Sequence, residues 1–238
     1  MTHIKRISAP KTWKIKRKHG KFVARPQPGP HSKHESLALG VVLRDMLKVA
    51  GVIKDVKRLL NMNLVSIDGV IRKNIHFPVG VMDIIKIEHM GSYRMLFDKK
   101  GRLSLIKSLK DEESLKLCKI TSKTAVKSGK IQLGLHDGRT ILLSKSEGLK
   151  YKRAGTLLIE VPSQKIKNYI PLEKGALVYI LKGKHVGEQA KVVDFTHIEG
   201  TMVSPRIVLK PEKGADYETP MSYVFAIGKT KGELKLNE

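Results

Sequence analysis

The stretch Leu64-Val65-Ser66-Ile67-Asp68-Gly69-Val70-Ile71-Arg72 frames the first folded unit. An Asp-Gly pair between two apolar-alternating runs signals a β-hairpin, because both residues tolerate the positive φ of a tight primed turn. Upstream, Leu39, Val42, Leu43, Met46, Leu47 and Ala50 recur at the spacing of one helix face. Gly51 follows where a left-handed residue stops such a helix. A second, shorter helix is expected with Asp55 in its first turn and Val56, Leu59 and Leu60 facing inward. Lys54, Lys57 and Arg58 lie opposite that stripe, and Arg44 and Lys48 occupy the outer face of the first helix. Ile84-Ile85-Lys86-Ile87 supplies a further strand. The spacing therefore predicts, over residues 35–92, two short helices leaning on a small sheet, with one cationic helical face.

From Tyr93 the period changes to two, through Tyr93, Met95 and Phe97 and then Leu103-Ser104-Leu105. A brief helix is expected around Asp111 to Leu117, capped by Ser108. Ile131 to Leu135, the turn His136-Asp137-Gly138-Arg139 and Thr140 to Leu143 form a second Asp-Gly hairpin. Leu157 to Val161 and Ile166 to Ile170 complete a β-rich central domain over 93–172. After Pro171, strands at Leu177–Leu181, Ala190–Phe195, Val203–Leu209 and Ser222–Ile227, with the loop Lys182 to Gly187, suggest a small barrel over 173–230. Residues 231–238 form a charged tail. The fold class is α+β, mostly β.

Charge points to the partner. The chain has 238 residues, with 46 Lys plus Arg against 22 Asp plus Glu and a formal net charge of +24. Such self-repulsion suits a polyanionic partner. Residues 1–34 carry Lys5, Arg6, Lys11, Lys14, Lys16, Arg17, Lys18, Lys21, Arg25 and Lys33 and no acid. Trp13 and Phe22 sit among these cations, with prolines after them. The segment reads as an extended arm, without a core of its own, that orders on RNA: cations hold phosphates and rings stack on unpaired bases.

Other chemistries find little support. The single cysteine, Cys118, excludes an internal disulfide, fits a reducing, cytoplasmic compartment and reads as a small core residue. The apolar runs Leu37–Leu43 and Val79–Ile87 fall far short of the ~20 residues that cross a bilayer. His31 and His34 lack companions for a zinc site, so contact with phosphate or solvent is the better reading. Gly228-Lys229-Thr230 ends like a phosphate loop, but Tyr223 stands where its first glycine is needed. Asp68 and Asp137 read as turn residues rather than as a catalytic acid and base. No catalytic residue, metal, cofactor, small-molecule substrate or membrane is expected.

These residues also carry a family resemblance. Ile4-Lys5-Arg6, Ala9-Pro10-Lys11 and Trp13 resemble the opening signature of the S4e family of archaeal and eukaryotic small-subunit ribosomal proteins. Arg25-Pro26, Gly29-Pro30-His31 and Glu35-Ser36-Leu37 continue the likeness, as do Leu43-Arg44-Asp45 and Val65 to Arg72. Phe77-Pro78-Val79-Gly80-Val81-Met82-Asp83-Ile84 is its most specific stretch. Tyr93-Arg94, Lys116 to Lys119, His136 to Ile141 and Val224 to Gly228 extend it along the chain. The third unit resembles a KOW module, an SH3-like barrel, with Gly183 and Gly187 in its loop and departures at Glu188 and Ala190.

The resemblance implies a structural component of the small ribosomal subunit that binds small-subunit rRNA and neighbouring ribosomal proteins. It also implies that 35–92 is an S4-like RNA-binding module. His31, Arg72, Lys73, Arg94, Arg139 and Lys184 complete the candidate RNA contacts. A KOW-containing transcription or translation factor is the alternative reading. An RNA-modifying enzyme is less favoured: the Gly-Arg-Leu-Asp run of pseudouridine synthases is not matched by Gly138-Arg139-Thr140-Ile141.

Overall fold

A computed structural model describes residues 3–196, 205–212, 214–229 and 232–234. The N-terminal segment forms β1 (His3–Lys5) and β2 (Phe22–Ala24), an antiparallel pair in which Lys5 faces Phe22. β3 (Ser36–Ala38) leads into α1 (Leu39–Val41), which widens into a π-helical turn at Val42–Met46. This helix ends earlier than its apolar stripe predicts. The left-handed residue that stops it is Lys48, at φ 56°, and not Gly51. α2 (Ile53–Asn61) matches expectation, with Val56 and Leu60 buried one turn apart and Lys54, Lys57 and Arg58 exposed.

Next come β4 (Val65–Ile67), β5 (Val70–Ile71), β6 (Pro78–Gly80), β7 (Ile84–Ile87), β8 (Gly91–Phe97) and β9 (Leu103–Lys107). Asp68 at φ 49° and Gly69 at φ 74° make the primed turn between β4 and β5. The first large sheet has the order β5-β4-β7-β8-β9, and β3 pairs separately with β6. β8 and β9, expected in the central unit, thus belong to the sheet begun by the first hairpin.

The second sheet contains β10 (Leu115–Ala125), β11 (Ile131–Leu135), β12 (Thr140–Leu143), β13 (Thr156–Glu160) and β14 (Lys165–Ile170). Its order is β12-β11-β10-β13-β14. β10 is shared: its first half pairs with β13 and, past an irregularity between Ile120 and Ser122, its second half pairs with β11. A short α3 (Lys145–Leu149) follows β12. The Ser144 hydroxyl accepts from the Glu147 N–H, which caps the helix, and donates to the Glu147 carboxylate. The helix expected at Asp111–Leu117 is absent. Lys110–Glu112 forms a single 3-10 turn, and the chain is extended from Leu115 because both faces of that strand are buried.

The third sheet has the order β18-β17-β16-β15-β19, from β15 (Leu177–Ile180), β16 (Gln189–Thr196), β17 (Arg206–Pro211), β18 (Tyr217–Pro220) and β19 (Val224–Gly228). It curls into a half-barrel over Val178, Ile180, Val192, Ile207 and Leu209. β18 had no counterpart in the sequence reading. Positions 203–204 of the strand expected from Val203, and most of the tail 231–238, lie outside the described residues.

The N-terminal segment departs most from expectation. Trp13 is 2% exposed and packs in one interior with Leu43, Leu60, Met82, Phe97 and Leu103, and that interior reaches Tyr179 and Phe225 of the third sheet. Its indole donates to the Lys33 carbonyl at 3.2 Å, and the Leu103 N–H donates to the Thr12 carbonyl at 2.7 Å. Irregular backbone here is satisfied by guanidinium groups. Arg17 donates to the carbonyls of Ala9 and Pro10, and the buried Arg6 to those of Phe22 and Lys16. The segment needs no core of its own because it completes that of the first sheet.

Candidate nucleic-acid interface

The candidate contacts fall into three groups by exposure. Lys5, Lys11, Lys14, Lys16, Lys18, Lys21 and Arg25 on the N-terminal segment are exposed, as are Lys48, Lys54, Lys57, Arg58, Lys73 and Lys184. Arg17, Lys33, Arg44, Arg72 and Arg139 are half-buried. Arg6, Trp13, His31 and Arg94, expected as RNA contacts, are instead buried, which leaves them almost no surface to offer RNA. Arg94 donates instead to the carbonyls of Glu112 and Leu115, and burial pulls its guanidinium down to about 10. Phe22 stays half-open with the Lys21 ammonium 5.5 Å from its ring centre, so it keeps the face that Trp13 does not have.

The fold brings several of these cations together. The Arg25 carbonyl lies 2.9 Å from Nδ1 of His76, and Gln27 bonds both His76 and Asn74. These bonds seat the N-terminal segment along the loop after β5, beside Arg72 and Lys73. The Arg72 guanidinium stacks 4.5 Å from the Phe77 ring centre, which holds it in place. Arg44 is spent on Asp45, at 2.6 and 2.9 Å. Lys184 sits exposed on a loop that packs against the first sheet. A Cβ on Gly187 (φ 81°) would stand 2.6 Å from the Asp98 carbonyl oxygen. The loop glycine therefore serves close packing.

Beneath a cleft of about 330 Å³ between Pro30, Arg72, Phe77 and Arg139 lies a buried ionic cluster. The Lys116 ammonium donates to Asp83 at 2.6 Å and to Asp68 at 2.7 Å, and stands 3.0 Å from Asp137. Arg139 bridges Asp68 and Asp137. His31 bonds the other side of Asp83 at 2.9 Å, and backbone N–H groups of Gly80, Ile84 and Arg139 fill the remaining carboxylate oxygens.

Burial alone raises the Asp83 and Asp137 carboxyls, but Lys116, with His31 beside Asp83 and Arg139 beside Asp137, holds both below the usual range. Asp68 goes the other way, raised by burial and by the Asp83 charge. Lys116 is pulled down by burial yet pushed well above its ordinary value by the aspartates. Asp68 and Asp137 do occupy their turns, as expected, but each also reaches inward to this ammonium. Neither Asp83 nor Lys116 is singled out in the sequence for this role; Asp83 carries a signal, an isolated charge inside the apolar run Val79 to Ile85, whereas Lys116 sits near Glu113 and Lys119 and carries none.

The structure gathers a donor set that the sequence does not single out. Among the described residues, Cys118, His136 and Asp137 bring donor atoms within 4.8 Å of one another. Each is already engaged. Asp137 faces Lys116, the Cys118 thiol lies 3.6 Å from Asp137, and His136 accepts from the Lys119 N–H and donates to the Val81 carbonyl. Burial pushes the Cys118 thiol up, which disfavours a thiolate.

Two buried side chains, Lys119 and Tyr179, help pin the third sheet to the rest. The Lys119 ammonium donates to the carbonyls of Met221, Ser222 and Val224, the last at 2.6 Å. The Tyr179 hydroxyl accepts from the Phe97 N–H at 3.1 Å and donates to its carbonyl at 2.7 Å. The exposed cations therefore ride on a framework whose three sheets are held by buried polar bonds.

Known proteins match this chain along its length. The model described as Ribosomal family S4e matches residues 90–166, and the RS4NT domain model matches residues 2–34. The small ribosomal subunit protein eS4 of Methanocaldococcus jannaschii is 43% identical over 241 residues, covering 98% of this chain and 97% of that protein. Its counterpart from Methanococcus vannielii is 40% identical over 240 residues, with 98% and 97% covered. The crystal structure of the 30S ribosomal protein S4e from Thermoplasma acidophilum superposes with a TM-score of 0.69 at 32% identity, covering 82% of this chain and 96% of that one.

Proposed function

The chain belongs to the S4e family of ribosomal proteins, and from that premise we propose that it is a structural, RNA-binding component of the small ribosomal subunit. The near full-length identity to eS4 proteins carries this reading. The exposed cations give it a mechanism: each phosphate neutralised by Lys or Arg releases condensed counterions, so many contacts on a rigid body sum to high affinity. The RNA-facing set in this proposal is the exposed group on residues 5–25, the outer face of α2, and Arg72 with Lys73. Residues 3–34 are a fixed basic segment, 35–107 an RNA-binding module, 115–170 a central module and 173–228 a KOW-like module. The action is binding, without turnover, in the cytoplasm where ribosomes assemble.

Sedimentation of a tagged chain tests this. The protein is expected in the small-subunit peak of a sucrose gradient and in the polysomes, and released by RNase digestion of the particle. A tagged chain that stays at the top of the gradient, in extracts whose ribosomes are intact, would overturn the proposal in favour of a free factor.

A further inference from the structure

The cations singled out in the sequence leave the second sheet almost bare, with Arg139 alone between Arg94 and Lys184. The fold nevertheless gathers a cationic cluster at the far end of that sheet. Strand register builds it. Ala125 pairs with Ile131 and Ile131 with Leu143, so the β10–β11 turn, with Lys127 and Lys130, stands beside Ser144 and Lys145 at the start of α3. Gly148 lays the helix on Ile131, where a Cβ would stand only 2.6 Å from the isoleucine Cβ. The Lys123 ammonium then donates to the Tyr151 carbonyl at 2.9 Å, which draws the segment after α3, with Lys150, Lys152 and Arg153, back along β10.

Apart from Lys123 these cations are exposed. Of the acids near this end, Glu147 is held in the cap with Ser144, and Glu173 acts on the Tyr169 hydroxyl that accepts from the Lys152 N–H. Asp137 lies at the opposite end of β11, in the buried cluster. Three different elements thus present like charges to one region of solvent at a cost in mutual repulsion. An anionic partner removes that cost. Lysine is depleted in protein–protein interfaces, whereas as a solvated point charge it suits phosphate.

We propose that the β10–β11 turn, α3 and residues 150–153 form a second RNA-contact surface. It grips the phosphate backbone of a folded RNA segment separately from the N-terminal segment and α2. The proposal rests on the small-subunit reading above and adds a site to it.

The test uses the full chain and a transcript of the cognate small-subunit rRNA. One variant carries Lys127→Gln, Lys130→Gln, Lys145→Gln and Lys150→Gln; a second carries Arg at the same positions. Affinity is measured across a salt series. The Gln variant is expected to flatten the slope of log K against log salt by about 3, from roughly 0.7–0.9 for each phosphate left without its cation. The Arg variant should keep the parent slope.

A Gln variant with the parent's slope and affinity would overturn the second surface and leave the small-subunit reading intact. An Arg variant that also loses the slope would mark a folding defect and overturn it too. So would a Gln variant that binds RNA like the parent but no longer retains a neighbouring ribosomal protein in reconstituted particles. A parent chain without salt-sensitive binding would remove the underlying reading itself.

Discussion

The Lys116 ammonium lies 2.6 Å from Oδ1 of Asp83, and both side chains are almost completely withdrawn from solvent. With Asp68 and Asp137 it is bound to three carboxylates from three different turns or strand ends, so one buried cation ties the first sheet to the second. Removing one partner of a buried ion pair leaves uncompensated charge. Lys116→Met is expected to cost about 3–5 kcal/mol, read as a lower urea midpoint. A cost under about 1 kcal/mol would show that the aspartates find other partners.

Acid should loosen the same region in two stages. His136 is neutral in the fold, pushed down to about 4 by burial and by Lys116. Unfolded, it titrates near 6.5. Between those values the unfolded chain holds the extra proton, so stability falls as pH drops from about 6.5 to 4, by about 1–3 kcal/mol. His136→Gln should flatten that limb. Below it, Asp83 and Asp137 contribute stability that is present above the ordinary aspartate range and is lost as pH falls toward their lowered values. Urea midpoints at several pH values separate the two stages.

Trp13→Ala should cost about 3–5 kcal/mol, because it empties a large buried site. Hydrogen exchange should then show lost protection at Leu103, whose N–H is bonded to the neighbouring Thr12 carbonyl. Unchanged stability would restore the picture of a free arm.

Charge at exposed and buried positions should separate cleanly. Lys57→Gln with Arg58→Gln is expected to leave stability within about 0.5 kcal/mol and to reduce the salt slope of rRNA binding by about 1.5. Arg94→Ala should do the reverse, costing about 2 kcal/mol and leaving the slope of the folded protein unaltered. Parallel unfolding and filter-binding titrations decide both.

Gly187→Ala should also destabilise, by about 1–3 kcal/mol, since it forces a side chain into both a left-handed backbone and the Asp98 carbonyl. The loss should appear as easier opening of the third sheet, seen as faster proteolysis after residue 181. An unaltered proteolysis rate would show that the loop yields without strain.

Local signals carried much of the fold. The two Asp-Gly turns, the four-residue spacing of Val56 and Leu60 and the period-two run through Tyr93, Met95 and Phe97 depend on neighbours in sequence and stand where the sequence places them, whereas the last strand starts at Val224 because Met221–Tyr223 form a 3-10 turn where a strand from Ser222 is expected. The misses depend on partners far along the chain. Trp13 lies among cations, and nothing local shows that Leu103 and Leu43 await it. Asp83, Lys116 and Lys119 look solvated until three turns converge on them. The exposed cations of α2 were legible because an amphipathic stripe defines its opposite face. The cluster at the end of the second sheet was not, because strand register, and not spacing, brings Lys127, Lys145 and Lys150 together.

The bond from the Leu103 N–H to the Thr12 carbonyl sets an order on synthesis. Residues 3–34 leave the peptidyl transfer site well before Leu103, which is made 90 positions after the Trp13 it packs with. Contacts of such long sequence separation close late, after their loop entropy has been met. Until then the newborn chain carries an acid-free cationic segment with its indole uncovered, a sticky surface for any polyanion or chaperone nearby. The finished protein buries the indole and leaves the cations exposed, so the interval between translation and docking is when the ring and the charges of this segment are open to wrong partners together.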